Sequence, residues 1–359
     1  MEITREDILE ALRKVKDPEL NRDLVSLGMI REVEVSPEGK VRVVVALTTA
    51  GCPLKRRIAE DVRQAVASVP GVSGVEVELS TMTPEERARV FGGPPKKEHL
   101  GIRDVRFVLA VGSGKGGVGK STVTVNLAVA LRLKGFQTGI LDADLYGPNI
   151  PLLMGFSEED RPSVIGGKIQ PLALHGVKVM SFAFLAPPGQ PFIWRGPLVG
   201  KALQEMAEVV EWGPLDFLLV DLPPGTGDAP LSVCHTYQPR GVILVTTPQE
   251  LSVADVRRCA KMFEDLGVAI LGVVENMSYL RTEGREIPVF GEGGGEGLAR
   301  ELGVPLLARI PLEPEVNRLR EPVVLHEDLE ASRKFRELAD KVIGRVFPGS
   351  KGPASAPQE

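Results

Sequence analysis

The run GSGKGGVGKST, residues 112–122, has the residue types and spacing to bind a chain of phosphates. Gly114, Gly119, Lys120 and Ser121 satisfy the pattern G-x-x-x-x-G-K-S/T. RFVLAV before it and VTVNLAVALRLKG after it supply the strand and helix the pattern needs. Glycines at 114, 116, 117 and 119, with Val118 between them, let main-chain N–H groups turn inward on phosphate oxygens. The helix opening at Lys120, Ser121 and Thr122 adds the positive end of its dipole. Lys120 is expected to reach the β- and γ-phosphates and Ser121 to ligate Mg²⁺, so ATP and Mg are the expected ligands. Lys115 puts a second cation inside the loop.

Three carboxylates extend this set. GILDADLYGPNIP carries Asp142 and Asp144 at the carboxyl end of a strand, where an α/β sheet places its chemistry. DFLLVDLPPGTGD carries Asp221 after four apolar residues, followed by a Pro/Gly-rich stretch ending in Asp228. Asp221 fits a Mg²⁺-holding role through water and Asp142 a supporting one, while Asp144 is the choice to orient an attacking water. Lys115, Lys120 and Asp144 form the expected catalytic set. Gly225 and Gly227 allow the loop after Asp221 to change conformation between nucleotide states.

Apolar strands at 106–111, 138–142, 216–221, 241–247, 268–274 and 306–310 alternate with helical stretches at 120–134, 197–210, 252–265 and 293–302. The alternation predicts an α/β fold, a P-loop NTPase with a mostly parallel sheet and helices on both faces. Ahead of it, residues 1–83 read as a small α+β domain: a helix over 4–16 capped by Thr4, the strand KVRVVVALTT, the helix LKRRIAEDVRQAVASV and the strand GVEVEL. Residues 84–104, with Pro-Pro, Gly-Gly and a charge cluster, read as a linker. The ATPase domain is expected over 105–349, and 350–359 has the composition of a disordered tail. In the last helical stretch, Ala331, Phe335, Leu338, Ala339, Val342, Val346 and Phe347 share one face. That face is expected to dock on the core in preference to a membrane surface.

Forty-three Lys and Arg against 48 Asp and Glu give a net charge of −5, without a basic block, which argues against nucleic acid as a partner. No apolar run approaches the ~20 residues of a membrane span. The expectation is a cytoplasmic protein without stable membrane association. Cys52, Cys234 and Cys259 form neither a C-x-x-C pair nor a secreted disulfide framework, and His99, His175, His235 and His326 are scattered.

GKGGVGKS resembles the deviant Walker A of the P-loop ATPases that include MinD, ParA, the arsenical pump ATPase and the nitrogenase iron protein. The resemblance implies that Lys115 reaches across a dimer to the partner's nucleotide. Further stretches narrow it: DADLYGPNIP, WRGP at 194–197, DLPPGTGD, TTPQE at 246–250, ENMS at 275–278 and FGEGGGEGLA at 290–299. Together they resemble the Mrp/ApbC iron-sulfur cluster carrier ATPases over residues 105–347. DPELNRDLVSLGMI and LTTAGCPL resemble the small domain found at the front of many bacterial members and in SufT-type maturation proteins. The resemblance implies a homodimer that hydrolyses ATP slowly and carries a 4Fe-4S cluster to apoproteins, with apo iron-sulfur proteins and cluster-assembly proteins as partners. It also implies that Asn276 reads the adenine edge and that the loop around Pro311 closes that pocket. Asn276 as an ordinary turn residue is the other reading.

Members that bind the cluster through C-x-x-C carry it shortly after NMS, where this chain reads NMSYLRTEGREIPVFG, without cysteine. Cys52 in TAGCP is the remaining candidate iron-sulfur ligand, balanced against a buried structural role, and Cys234 and Cys259 read as structural. Two alternatives stand beside the carrier: a nucleotide-switched scaffold of the MinD/ParA type, and a cluster-free chaperone for iron-sulfur proteins.

Overall fold

The computed structural model describes residues 3–16, 23–47, 55–81, 100–185 and 196–347. Cys52, most of the 84–104 stretch and the 350–359 tail lie outside the described residues. The chain divides into two compact units, Met1–Lys96 and Lys97–Glu359.

The first unit runs α1 (Arg5–Leu12), β1 (Ile30–Val35), β2 (Lys40–Leu47), α2 (Lys55–Ala67) and β3 (Gly74–Thr81). Thr4 caps α1 reciprocally with Asp7, satisfying two orphan donors of the first turn. β2 lies between an antiparallel β1 and a parallel β3. Alternation along β2 sends Val41, Val43 and Val45 into a core with Ile8, Leu12, Ile58, Val62 and Val66. Arg42 points the other way and pairs with Glu34 and Glu78.

The second unit opens with β4 (Val105–Ser113), α3 (Lys120–Leu133), β5 (Thr138–Asp142) and α4 (Ile150–Met154). Four short strands follow: β6 (Ser163–Ile165), β7 (Lys168–Gln170), β8 (Leu172–Leu174) and β9 (Val177–Ser181). Next come α5 (Gly196–Val209), β10 (Leu215–Asp221), α6 (Asp228–Tyr237), β11 (Gly241–Thr246), α7 (Glu250–Asp265) and β12 (Ile270–Glu275). The hairpin β13 (Leu280–Thr282) and β14 (Arg285–Ile287), α8 (Gly294–Glu301), β15 (Leu306–Arg309) and α9 (Glu330–Val346) complete it.

Eight strands form one sheet in the order β15-β12-β11-β4-β10-β5-β9-β8, parallel throughout except for the edge pair β8/β9. The strands are continuous apolar runs because both faces are covered. Leu109 and Val111 of β4 face a cluster built with α3 and α9, while Val108 and Ala110 face one built with α5, α6, α7 and α8. The expected fold class is the one observed. The 163–181 strands, α6 and the 280–287 hairpin add to the elements expected from periodicity, since short irregular segments carry too few residues to set a period. The apolar face of α9 is spent on the core: Ala331, Phe335, Leu338, Ala339, Val342 and Val346 are buried. Phe347 ends the helix in an aromatic group with Phe107 and Phe217, at centroid separations of 5.0 and 5.9 Å.

Candidate nucleotide-binding site

Parallel register brings the carboxyl ends of three strands level. Asp221 of β10 stands opposite Val111 of β4 on one side and Asp142 of β5 on the other. The loop 114–119 leaves β4 at this edge and turns into α3. Three of its glycines, Gly114, Gly117 and Gly119, are required locally. A Cβ at Gly114 would collide with the main chain of Asp255 and Val256 in α7, and Gly117 and Gly119 both take φ +81°, a left-handed conformation natural to glycine.

Three donors converge on Asp221, which is fully buried. Lys120 Nζ and Ser121 Oγ each donate to Oδ2 at 2.6 Å, and Thr124 Oγ1 donates to Oδ1 at 2.6 Å. Lys120 is itself 6% exposed, so the pair is a buried ion pair, to which Ser121 and Thr124 add two further hydrogen bonds. Asp142 lies beside it. Asp142 Oδ1 accepts from the Asp144 N–H at 3.2 Å, and Oδ2 accepts from Ser181 Oγ at 3.0 Å and the Ile150 N–H at 3.3 Å. Burial, then the neighbouring Asp221 charge, holds the Asp142 carboxyl well above the usual carboxylate range. Burial also raises Asp144, with the Lys120 ammonium pulling the other way. Asp144 Oδ1 accepts from the Gly147 N–H at 3.3 Å. Its side of the site opens into a cavity of about 480 Å³ lined by Tyr146, Pro223, Pro224, Gly227 and Asp228.

Lys115 is turned toward the β11–α7 connection, where Nζ donates to Gln249 Oε1 at 3.4 Å. Its carbonyl accepts from Ser113 Oγ at 3.0 Å, which pins the outer strand of the loop. Lys115, Gly116, Gly117 and Val118 share a cavity of about 170 Å³ with Thr247, Gln249, Met277 and Phe290. Asn276 is buried against the loop, its Nδ2 donating to the Val118 carbonyl at 2.9 Å. One of the two N–H groups of the amide expected to meet adenine is engaged by the phosphate loop. Pro311 is buried just beyond β15, between Ile310, which donates to the Glu275 carbonyl at 2.8 Å, and Leu312, which donates to that of Tyr279 at 2.7 Å. The Thr122 carbonyl accepts from Asn126 Nδ2 at 2.9 Å, and Asn126 Oδ1 takes the Val324 N–H at 2.8 Å.

Sequence reasoning missed Thr124, Ser181, Gln249 and Glu275. Thr124 had a signal: four residues after Lys120, it lies on the same helix face. Ser181 and Glu275 are brought in by sheet topology, which local spacing does not encode.

Among the described residues no group of three or more His, Cys, Asp or Glu is placed to hold a metal ion. Cys234 and Cys259 are buried, and burial pushes both thiols up to about 12, the protonated form rather than the ligating thiolate. At the hairpin after Asn276, Arg281 pairs with Glu286 at 2.6 Å and Glu330 at 2.9 Å, and Tyr279 Oη donates to Glu330 at 2.9 Å. No described helix is long and apolar enough to cross a membrane.

Residues 104–343 match the family described as ParA, NUBPL iron-transfer P-loop NTPase, and residues 5–79 match the iron-sulfur cluster assembly protein family. The chain is similar to the iron-sulfur cluster carrier protein of Synechocystis sp., 43% identical over 354 residues covering 96% of this chain and 98% of that protein. The carrier protein of Bacillus subtilis is 37% identical over 96% of this chain and 99% of its own length. Among solved structures, the Archaeoglobus fulgidus nucleotide-binding protein in complex with ADP superposes with a TM-score of 0.58. It is 39% identical over 66% of this chain and 96% of that one. The Pyrococcus furiosus cell division ATPase MinD superposes at 0.51 with 28% identity, over 66% of this chain and 98% of its own. With a phosphate loop backed by a buried aspartate and relatives matched end to end, the chain belongs to the iron-sulfur cluster carrier family of NUBPL-type iron-transfer P-loop NTPases.

Proposed function

We propose that the protein is an ATP-binding, slowly ATP-hydrolysing homodimer that binds iron-sulfur clusters and transfers them to apoproteins in the cytoplasm. The observation that carries the nucleotide part is the convergence of Lys120, Ser121 and Thr124 on buried Asp221 behind a glycine loop. The ADP complex of the Archaeoglobus relative supports it. Oxygen donors alone, Ser121 and Asp221 with Asp142 beside them, fit a hard divalent cation. Mg²⁺ held by these residues would supply charge neutralisation at the phosphate oxygens. Lys120 would bind the β- and γ-phosphates, with main-chain N–H groups of residues 116–122 orienting them. Asp144 orients the attacking water from the cavity side. Lys115, turned toward Gln249, stabilises charge on the partner's nucleotide in trans.

The test is steady-state turnover. Lys120→Ala abolishes hydrolysis, Asp144→Ala retains ATP binding but stalls cleavage, and Lys115→Ala lowers kcat more than affinity. Normal turnover by Lys115→Ala would remove the trans role.

The segment NMSYLRTEGREIPVFG without cysteine, with Cys234 and Cys259 buried, supports a second reading: a cluster-free chaperone that docks other cluster proteins. Anaerobic reconstitution with iron and sulfide analysis separates the two. The carrier reading expects stoichiometric cluster in the parent and its loss, with loss of transfer to an apoprotein, in Cys52→Ala; no cluster in the parent favours the chaperone.

A further inference from the structure

The segment Glu275–Ser278 turns the chain sharply at the end of β12. Met277, a non-glycine residue, takes φ +55° in this turn. A side chain in the left-handed region is strained and persists only where its surroundings hold it. The neighbours on either side of Met277 are both committed. Asn276 donates through its amide to the Val118 carbonyl of the phosphate loop at 2.9 Å and through its main chain to Thr246 at 2.8 Å. Ser278 Oγ lies 2.9 Å from the Glu275 carbonyl and 2.8 Å from Glu275 Oε1.

Glu275 is 1% exposed, and its carboxylate does more than close this turn. Oε2 accepts from the Gly295 N–H in the first turn of α8 at 2.6 Å, and Arg309 Nε stands 3.5 Å from Oε1. The approach of α8 is so close that a Cβ on Gly295 would lie 2.7 Å from the Glu275 Cβ. Gly295, in the first turn of α8, thus lets a helix amino-terminus rest on a buried carboxylate, a favourable pairing of dipole and charge. Through Oε1 the same carboxylate meets the Ser278 hydroxyl at the far end of the turn that carries Asn276 to Val118.

We infer that Glu275 is a positioning residue of the nucleotide site, holding Asn276 against the phosphate loop through Ser278 and α8. It does not touch the phosphates. Its loss lets Met277 relax toward φ < 0, swings Asn276 off Val118 and leaves the loop less ordered before ATP arrives. The inference rests on the nucleotide reading above and adds to it the residue that keeps the loop formed.

The test uses the full chain and a fluorescent ATP analogue, with KM and kcat for ATP alongside. Glu275→Ala is expected to weaken affinity about tenfold, the effect of losing charge-assisted hydrogen bonds, with kcat at saturation little changed. The double variant Glu275→Ala/Asn276→Ala is expected to bind no more weakly than Asn276→Ala alone, since the two act as one unit. Met206→Ala, a cavity in the buried face of α5, is the stability control and is expected to lower the melting temperature without moving affinity. If Glu275→Ala does not fold, Ser278→Ala breaks the same turn from the other side and is expected to weaken affinity several-fold. Additive effects in the double variant, unchanged affinity in Glu275→Ala or Ser278→Ala, or an equal affinity loss in Met206→Ala overturn the inference. Nucleotide binding by the parent that Lys120→Ala does not weaken overturns the nucleotide reading itself, a result distinct from these.

Discussion

Asp221 accepts three short hydrogen bonds and meets no solvent, so each donor carries part of the cost of keeping a carboxylate ionised inside the sheet edge. Thr124 is the donor with no part in binding phosphate by sequence pattern. Thr124→Ala leaves Oδ1 unpaired and is expected to cost about 1–3 kcal/mol in urea unfolding. A loss below that range would mean that solvent or a neighbouring donor reaches Oδ1. The thiols give a second prediction. Both have an ordinary value of 9.0 and lie near 12 when folded, so between those values the unfolded chain releases protons that the folded chain retains. The stability they contribute is complete below pH 9 and drains away as pH rises toward 12. In Cys234→Ala/Cys259→Ala the fall of the melting temperature over that alkaline range should be shallower than in the parent. Lys120, Ser121 and Asp221 were legible in the sequence because a loop between strand and helix leaves few geometries for that spacing. Glu275 was not, since its partners at 295 and 309 are set by which strands and helices meet.

Glycine positions translate pattern into element geometry. Gly114 lies where β4 leaves the sheet beneath α7, with no room for a methyl group beside Asp255 and Val256. Gly114→Ala is expected to push the loop off α7 and weaken ATP affinity by more than about tenfold, read by titration with the fluorescent analogue, since well-packed backbone does not yield cheaply. The parallel strands were legible as apolar runs because burial on both faces removes any alternation. The DLPPGTGD stretch reads as loop to its end, and α6 begins on its last residue, Asp228, where Pro and Gly had masked the helical period. The 163–181 strands are three to five residues long, below the length at which a period of two can be distinguished.

At the scale of the chain, each unit owns a buried cluster. Residues 97–359 produced alone are therefore expected to unfold cooperatively and to bind ATP within a few-fold of the full chain, as calorimetry and titration would show. Failure to fold would assign part of that stability to the first unit. The buried face of α9 bears on the scaffold alternative, because a helix spent on the core has no apolar stripe left for lipid. Co-sedimentation with anionic liposomes in the presence of ATP should leave the protein in the supernatant.

The same helix sets an order of construction. Phe335, Leu338 and Val342 of α9 share one cluster with Val125, Leu127 and Leu131 of α3, the helix that carries Lys120 and Ser121. A ribosome making this chain completes the first unit's sheet by Thr81, but α3 stays without its roof until Val346 has emerged. The phosphate loop is thus among the first parts of its unit to be written and the last to be closed. A nascent copy stopped short of α9 leaves an apolar stripe of α3 uncovered, a surface for quality-control factors to grip in place of a nucleotide switch.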